Sequence, residues 1–308
     1  MRVIRERRFK HGAVNHVYQR TLNRFNIFYD LHDYLVYFTI FCTVASKYGI
    51  CVYSLCLMID HIHSLIASDT KDTLSRFISN VTSVFVKEYN SSVGRTGPLF
   101  EGRFGSAPKT DRKKLVSAII YLANNPVEKK LCSKAEKYRW NFIAYMDSSH
   151  PFSDPIIKYK ASVRLRKAMA EVSSCVAKGQ YLNYARLRRM MDNLSVLEKN
   201  QLVDYIISSY NVINYKKVSL YFESYNQMLV SIHSTTGSEY DLIETVDRFS
   251  DGVYRDMIVE MKKYTGTSVK DIIMFSNEDK KKLADELHRK TEATDRQIAK
   301  FLHISDTC

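Results

Sequence analysis

Residues 51–68 read CVYSLCLMIDHIHSLIAS and consist of two short apolar runs separated by Ile59-Asp60. Taken together, the two runs are rich in Val, Ile, Leu and Tyr, which favour the pleated surface of a sheet over a helix of this length. We therefore predict two β-segments, Cys51 to Met58 and His61 to Ser68, joined by a tight turn.

The chain before this pair carries a strand pattern followed by a helix pattern. Residues 13–22 alternate loosely between apolar and polar side chains, which predicts a β-strand. A helix is predicted from about Asp30 to Gly49, because one apolar stripe recurs at helical spacing. The members of this stripe are Leu31, Leu35, Phe38, Cys42 and Ala45.

The chain after the pair repeats the two patterns. A helix is predicted over residues 73–89 with Asp72 as its N-cap, and LFEGRF (99–104) predicts a short strand. Another helix is expected from about Thr110 and should end before Pro126, because proline disfavours helical geometry in the residue before it. The order β-α-β-β-α-β-α predicts an α+β fold, an antiparallel sheet with helices on one face.

The character of the chain changes near residue 150. SHPFSDP (149–155) is rich in proline, and the residues after it show helical periodicity almost throughout. We predict one domain over 1–150 and a second, mostly helical domain over 151–308. The helices expected in the second domain cover 157–177, 181–193, 197–210 and 253–265.

The last part of the chain holds two short helix patterns. Ser276 can cap a helix that runs to about Arg289, and Thr294 with Gln297 has the form of a capping box. Two short helices joined by a tight turn are typical of the front half of a helix-turn-helix, which places a partial motif near 276–304. The chain ends where a recognition helix would begin, so a plain helical bundle is the favoured interpretation.

The charge of the chain is strongly basic and unevenly distributed. It has 46 Lys and Arg against 33 Asp and Glu, a net charge of +13. Residues 1–150 hold 22 basic and 12 acidic side chains, and residues 151–308 hold 24 and 21. An excess of this size indicates nucleic acid or an anionic membrane as partner, with a merely soluble basic protein as the alternative.

Cysteine usage and hydropathy indicate a cytoplasmic protein without a membrane span. The six cysteines form no C-x-x-C pair, and the basic first ten residues are not followed by the apolar core of a signal peptide. The longest apolar stretch, Tyr34 to Ile59, is divided near Gly49 into pieces too short to cross a bilayer. Neither a disulfide framework nor a membrane anchor is expected.

Two histidines stand at alternate positions of the second β-segment. Strand side chains alternate between faces, so His61 and His63 point the same way while Ile62 points to the opposite face. Two imidazoles about 7 Å apart along a strand can converge on one metal ion. The His-x-His pattern is common by chance, however, and two ordinary strand histidines are the alternative.

The helix predicted from residue 110 has two distinct stripes. Its core stripe consists of Leu115, Ala118, Ile119 and Leu122. A second stripe, at helical spacing, consists of Lys114, Ser117, Tyr121 and Asn125. Such a polar stripe is usually solvated surface. This one offers a phenol as nucleophile and, one turn later, an amide oxygen that can ligate a cation.

These residues occur together in one known family. The runs DHIHSLIAS (60–68), LFEGRF (99–104), IIYLANNPVEKKL (119–131) and YRWNFIAY (138–145) resemble the single-tyrosine HUH transposases, which are IS200-like. The branch that they resemble most is that of the REP-associated tyrosine transposases. The resemblance covers about residues 8–148, and the joint occurrence of His-x-His and Tyr-x-x-x-Asn-Pro is more specific than either motif alone.

The resemblance implies a role for each site residue. His61 and His63 match the pair that binds a divalent cation, Asn125 matches a third ligand on the helix, and Tyr121 matches the nucleophile. It also implies a sheet in a ferredoxin-like arrangement. The chain departs from the family pattern at Ser64-Leu65, where a more apolar pair is common.

The chemistry implied is cleavage of DNA through a 5′-phosphotyrosine intermediate. A tyrosine hydroxyl has an ordinary pKa of ~10, so a divalent cation, Mg²⁺ or Mn²⁺, is expected to assist its attack on phosphate. Histidines also accept Zn²⁺ or Ni²⁺, which a purified sample can contain. The expected substrate is single-stranded DNA or a hairpin with an unpaired flank, because the attacked backbone must be unstacked.

Basic side chains near the site are expected to neutralise phosphates. The candidates for DNA binding are Lys114, Lys113, Arg112, Lys109 and Arg103. Each of them could instead be an ordinary solvated charge. Trp140 can either stack on a base or pack the end of the first domain against the helical half.

Other functions remain open at the level of sequence. A domesticated, non-catalytic hairpin-DNA-binding protein or regulator would keep the sheet and the basic surface. A replication-initiation or relaxase-type HUH nuclease would share the chemistry, but no phosphate-binding G-x-x-x-x-G-K-[ST] loop is present. Moving both ends of an element needs two nucleophiles, hence a homodimer or two successive events. The resemblance places such a protein in the bacterial cytosol or nucleoid.

Overall fold

The computed structural model describes residues 8–235, 250–265 and 268–304. Four strands form one sheet: Val14–Arg20 (β1), Cys51–Leu57 (β2), His61–Ala67 (β3) and Gly105–Lys109 (β4). The helices of the first half are Leu31–Lys47 (α1), Lys71–Val93 (α2) and Arg112–Glu128 (α3). Those of the second half are Val163–Ala177 (α4), Tyr184–Met191 (α5), Val196–Tyr210 (α6), Tyr215–Ser219 (α7), Tyr225–Ser234 (α8), Val253–Met261 (α9), Asn277–Lys290 (α10) and Asp295–Leu302 (α11).

The sheet has the order β2-β3-β1-β4, and every neighbouring pair is antiparallel. With its β-α-β-β-α-β connections this is the ferredoxin-like arrangement, so the predicted α+β fold class is confirmed. In the register of the sheet, Tyr18 lies opposite His63 on one side and opposite Gly105 on the other. Residues directly opposite each other share a face, so these positions point to the same side of the sheet.

The helices cover both faces of the sheet, which corrects the prediction of helices on one face. The Gln19 side chain donates from Nε2 to Thr82 Oγ1 in α2, at 3.0 Å. His16 has the opposite parity on the same strand, and its ring lies beside that of Tyr121 in α3. α1 packs closely on α2, so these two helices cover one face while α3 covers the other.

Two helix boundaries differ from the prediction. α2 is capped by Thr70, whose Oγ1 accepts from the Thr73 amide at 3.0 Å, so Asp72 is not the N-cap. The Asp72 carboxylate pairs with Arg76 one turn later instead. α3 continues through Pro126 to Glu128, because a proline in the last turn interrupts little of the helix. The Leu131 amide then donates to the Pro126 carbonyl and closes the helix end.

The last strand begins six residues later than predicted, directly after the predicted run. LFEGRF (99–104) forms only an isolated bridge between Phe100 and Thr21, while the strand itself is Gly105–Lys109. Gly102 has a φ of +54°, a left-handed conformation that an extended strand does not contain. The aromatic and aliphatic side chains of this run enter the core, which explains its strand-like composition.

The second half is helical, as predicted, and packs directly on the first. α4 begins at Val163 rather than 157, and α7 and α8 were not predicted. Lys270 and Asp33, both almost fully buried, form an ion pair of 2.6 Å between the halves. Buried residues of both halves share one apolar cluster. The division into domains 1–150 and 151–308 stays a prediction.

The predicted caps near the chain end are confirmed. Ser276 Oγ accepts from the Asp279 amide at the start of α10. Thr294 and Gln297 form a reciprocal capping box at the start of α11. Cys308, after which a recognition helix would be needed, lies outside the described residues, and the partial helix-turn-helix near 276–304 stays a prediction. Within the described ranges, no helix is both long enough and apolar enough to cross a membrane.

Candidate active site between the sheet and α3

Two predicted metal ligands lie together at the start of β3. His61 and His63 are both buried, and their ring centroids are 4.9 Å apart with the rings nearly perpendicular. Both occupy the face of the sheet that α3 covers, as strand alternation predicts. This placement brings two imidazoles into one desolvated space.

Asp60 orients the first of the two rings. Its Oδ1 lies 2.5 Å from His61 Nδ1. Burial by itself raises the pKa of Asp60, but His61 and the charges of Arg24 and Lys300 lower that pKa below its ordinary value. The ionised carboxylate holds a proton on Nδ1, which leaves the lone pair on Nε2 of His61. This Nε2 is buried and has no hydrogen-bond partner among the described residues.

A third histidine, which sequence reasoning missed, stands behind the second ring. His16 on β1 is fully buried, and its Nε2 lies 2.9 Å from Nδ1 of His63. Its position depends on the register of β1 against β3, which the sequence does not specify. The one available signal was the alternation of residues 13–22, which places His16 and Tyr18 on the same side of that strand.

The predicted nucleophile lies against these histidines in the same chain. The ring centroid of Tyr121 is 5.9 Å from that of His63 and 6.1 Å from that of His16. α3 is fixed at its start by Asp111, whose side chain accepts from the Lys114 amide. Its predicted core stripe is buried beside Val14 and Leu65 of the sheet. Tyr121 is therefore buried at the contact between helix and sheet.

Asn125 follows Tyr121 by one helical turn and is also buried. Its Nδ2 has no hydrogen-bond partner in the part of the chain that the structure describes. Rotation of the terminal amide exchanges nitrogen and oxygen, so the same place can be taken by Oδ1, a cation ligand. The polar stripe is thus divided: Lys114 at its start is exposed, while Tyr121 and Asn125 are buried.

The outer side of α3 is held by the second half of the chain. Asn124 donates from Nδ2 to the carbonyls of Ile232, at 2.7 Å, and Thr235, at 2.8 Å, at the end of α8. Arg112 donates to the carbonyls of Leu220 and Tyr221, both at 3.2 Å. These contacts hold α3 between the sheet and α8. The position of Tyr121 therefore depends on the second half of the chain as well as on the sheet.

The basic residues predicted to bind DNA have different environments. Lys113 and Lys114 are exposed at the start of α3, whereas Lys109 is buried. Arg112 is occupied by the two carbonyls of the second half. Arg103 lines a cleft beside α2, on the side of the sheet away from Tyr121.

Trp140 packs inside the protein. Its ring stacks on Tyr34 of α1, with centroids 4.3 Å apart and planes within 5°. It also meets the edge of Phe142. Both partners belong to the first half of the chain. This packing inside the protein explains why a tryptophan occurs at position 140, and stacking on a nucleic-acid base is not needed to explain it.

The geometry lies within a segment that a family model matches. Residues 10–125 match the model of the IS200-like transposases, and the match contains β1, β3 and the part of α3 that ends at Asn125. The resemblance to IS200-like transposases is confirmed for this segment. The matched segment contains His61, His63, Tyr121 and Asn125, so all four candidate site residues lie within it and in one chain.

No curated protein matches the chain. A solved structure of a REP-associated tyrosine transposase bound to a REP hairpin is similar over 51% of this chain and 93% of that chain, with 12% identity and a TM-score of 0.40.

The three candidate ligands would form an unusual set for a metal ion. Among the described residues, no group of three or more His, Cys, Asp or Glu is arranged to hold a metal ion. The set found here instead combines two imidazoles with an amide, His61, His63 and Asn125. Both His61 Nε2 and the Asn125 amide are buried polar groups that a bound cation would satisfy, so these residues fit the divalent ion that the family implies.

Proposed function

We propose that the chain is a metal-dependent, single-tyrosine DNA nickase and strand transferase. The observation that carries this proposal is the contact of the Tyr121 ring with His63 and His16 beneath α3, in one chain. A phenol buried against paired imidazoles is unusual for packing alone. It lies, moreover, in a segment of the IS200-like family.

Tyr121 acts as the nucleophile on a DNA phosphodiester. Its oxygen forms a bond to phosphorus while the bond from phosphorus to the 3′ oxygen breaks. The tyrosine loses its proton, and the 3′ oxygen gains one. The products are a 5′-phosphotyrosine and a free 3′-OH. A second 3′-OH can reverse these steps and rejoin strands, because the phosphotyrosine bond conserves the energy of the phosphodiester.

His61, His63 and Asn125 hold the divalent cation, Mg²⁺ or Mn²⁺ in the reaction. When bound, the cation supplies charge stabilisation at the phosphate oxygens and the leaving oxygen. Asp60 keeps His61 in the tautomer that leaves Nε2 available for ligation. Zn²⁺ or Ni²⁺ can occupy the same nitrogen-rich site in a purified sample.

The substrate is single-stranded DNA or the unpaired flank of a hairpin. An unstacked backbone is required because the attacked phosphate must reach Tyr121, which is buried where α3 contacts the sheet. Lys113 and Lys114 are exposed at the start of the same helix, and we assign them to phosphates of the bound strand. One chain holds the nucleophile and the candidate ligands, so cleavage of one strand needs no second copy.

The test is formation of a covalent adduct. Labelled single-stranded DNA incubated with the protein and Mn²⁺ should give an adduct that survives a denaturing gel. Tyr121→Phe should abolish this adduct, and EDTA should prevent it in the wild type. Tyr159→Phe, at a tyrosine that is 82% exposed, is the matched control and should react normally.

Two results would overturn the proposal. An adduct of undiminished yield in Tyr121→Phe would show that another residue is the nucleophile. Hairpin binding that is unaffected by EDTA, with no adduct under any condition, would support a non-catalytic hairpin-binding protein or regulator instead.

A further inference from the structure

The second half of the chain has a nearly balanced net charge, but one segment within it is strongly basic. Residues 158–192 hold nine Lys and Arg but only two acidic residues, Glu171 and Asp192. The rest of 151–308 holds 15 basic and 19 acidic residues. Soluble surfaces normally intersperse charges of both signs, so separation of this degree indicates a polyanion-facing surface.

The structure places these charges on the outside of one helix pair. Leu165 and Val172 of α4 and Leu187 of α5 are almost completely buried and belong to the apolar core. The basic side chains of the two helices therefore occupy the outer surface. Those that are exposed are Arg164, Arg166, Lys167, Lys178, Arg188 and Arg189.

Two adjoining grooves follow this surface and share Arg189 and Asp192. One has a volume of ≈ 330 Å³ and is lined by basic side chains from three helices, His32, Arg188 and Lys199 among them. The other has a volume of ≈ 310 Å³ and is lined by Arg164 and Lys167. Both grooves are open at the surface, which allows an extended ligand to follow them.

The carboxylates of the surface do not neutralise these cations. Glu171 already receives two arginines, Arg186 at 3.2 Å and Arg189 at 2.5 Å. Lys167, Arg188 and Lys199 have no ion-pair partner within the described ranges. Asp192 lines both grooves but forms no ion pair with these cations in the described part of the chain, and a single carboxylate leaves most of their charge uncompensated. Phosphates bound between the cations would relieve their mutual repulsion.

We propose that the α4–α5 grooves bind the phosphate backbone of duplex DNA, as a second contact separate from the site beneath α3. The choice of DNA as the polyanion rests on the proposed function. α5 is attached to α1 through the hydrogen bond from Tyr184 to Asp33, and α1 covers the face of the sheet opposite α3. The grooves therefore hold the paired stem on one side while the unpaired strand reaches Tyr121 on the other.

The test compares two double variants with the same change of charge. Lys167→Glu with Arg188→Glu alters the grooves, and Lys281→Glu with Lys290→Glu alters exposed positions of α10. Affinity for a hairpin with an unpaired flank is measured by fluorescence anisotropy over a range of salt concentrations. The slope of log K against log salt should fall by about 2 in the groove variant, at roughly 0.9 per lost phosphate contact, and change little in the α10 variant.

Adduct formation with a short single strand separates this inference from the proposed function. The groove variant should form that adduct at the wild-type rate, because the strand is too short to reach α4 and α5. Equal salt slopes in both double variants would overturn the inference alone. A slope difference without any adduct would support the grooves and refute the nuclease. A wild type that forms the adduct with the single strand but does not bind the hairpin would refute the grooves alone.

Discussion

The two faces of the sheet differ in what they bury. The face beneath α1 and α2 is filled by aromatic and aliphatic side chains such as Phe38, Phe77 and Phe85, all completely buried. The face beneath α3 buries three histidines and a tyrosine against one another. The first arrangement gains free energy by removing apolar surface from water, whereas the second gains less and desolvates polar groups.

This difference separates stability from chemistry within one small sheet. Buried polar atoms without partners occur on the α3 face at His61 and Asn125, and also at Asn15 and Tyr89 elsewhere, and such atoms are costly in a fold without a ligand. The α3 face is distinguished by the histidines and the tyrosine that lie against one another there. The apolar face compensates for that cost. Changes on the two faces should therefore have different consequences, and the following predictions test this from the largest effect to the smallest.

The largest effect is expected on the apolar face. Phe85 is completely buried and contacts Tyr37 edge-on, with centroids 5.0 Å apart, and Phe28 at 6.0 Å. Phe85→Ala should lower the free energy of unfolding by about 3–5 kcal/mol, because it removes apolar burial and leaves a cavity. Urea denaturation followed by circular dichroism measures this loss.

Tyr121→Phe is the comparison on the other face. It keeps the ring and removes only the hydroxyl, so the free energy of unfolding should change by about 1 kcal/mol or less. An equal loss of unfolding free energy in Phe85→Ala and Tyr121→Phe would contradict the view that the apolar face supplies most of the stability.

The second prediction concerns pH and the docking of α11. Burial lowers the pKa of His303 to about 4, although its Nε2 lies 2.6 Å from the Asn26 carbonyl. The unfolded chain binds this proton near pH 6.5, so stability should be complete above pH 6.5 and fall as the pH drops towards 4. The loss attributable to this residue should reach about 3 kcal/mol.

His303→Asn isolates this contribution, because asparagine tolerates the left-handed backbone found at this position. Urea denaturation at pH 7 and at pH 4.5 should show a smaller difference in stability for the variant than for the wild type. The same pH dependence in both proteins would assign the acid sensitivity to other groups.

Local patterns predicted much of the fold and of the site. The β2–β3 pair, the start of α1 at Asp30 and the caps of α10 and α11 follow from residues that are close in sequence. Spacing also placed Tyr121 and Asn125 on one stripe of α3, as the structure has them, whereas their roles, which the family resemblance implies, stay predictions.

The errors arose where tertiary contacts decide. LFEGRF has the composition of a strand because its apolar side chains enter the core, while Gly102 turns the backbone away from extended geometry. The face on which α3 packs is not encoded in its periodicity, and His16 joins the site only through the register of β1 against β3. The carbonyls that occupy Arg112 lie more than a hundred residues away.

The smallest effect is expected from this third histidine, and it tests whether the α3 face is arranged for a cation. The two candidate ligands are supported differently: Asp60 holds His61, and His16 holds His63 at 2.9 Å. Groups that orient a metal-ligating histidine typically account for 10- to 100-fold in metal affinity. His16→Phe should therefore weaken Mn²⁺ binding by roughly 10- to 100-fold, measured by isothermal titration calorimetry.

Val17→Ala on the same strand is the control, because Val17 points to the apolar face. It should lower the free energy of unfolding by about 1 kcal/mol and leave Mn²⁺ affinity unchanged. Equal Mn²⁺ affinity in wild type and His16→Phe would show that His63 needs no support from β1. Weaker Mn²⁺ binding in Val17→Ala would mean that the two faces are coupled through the sheet, so that packing beneath α1 and α2 also sets the geometry of the histidines.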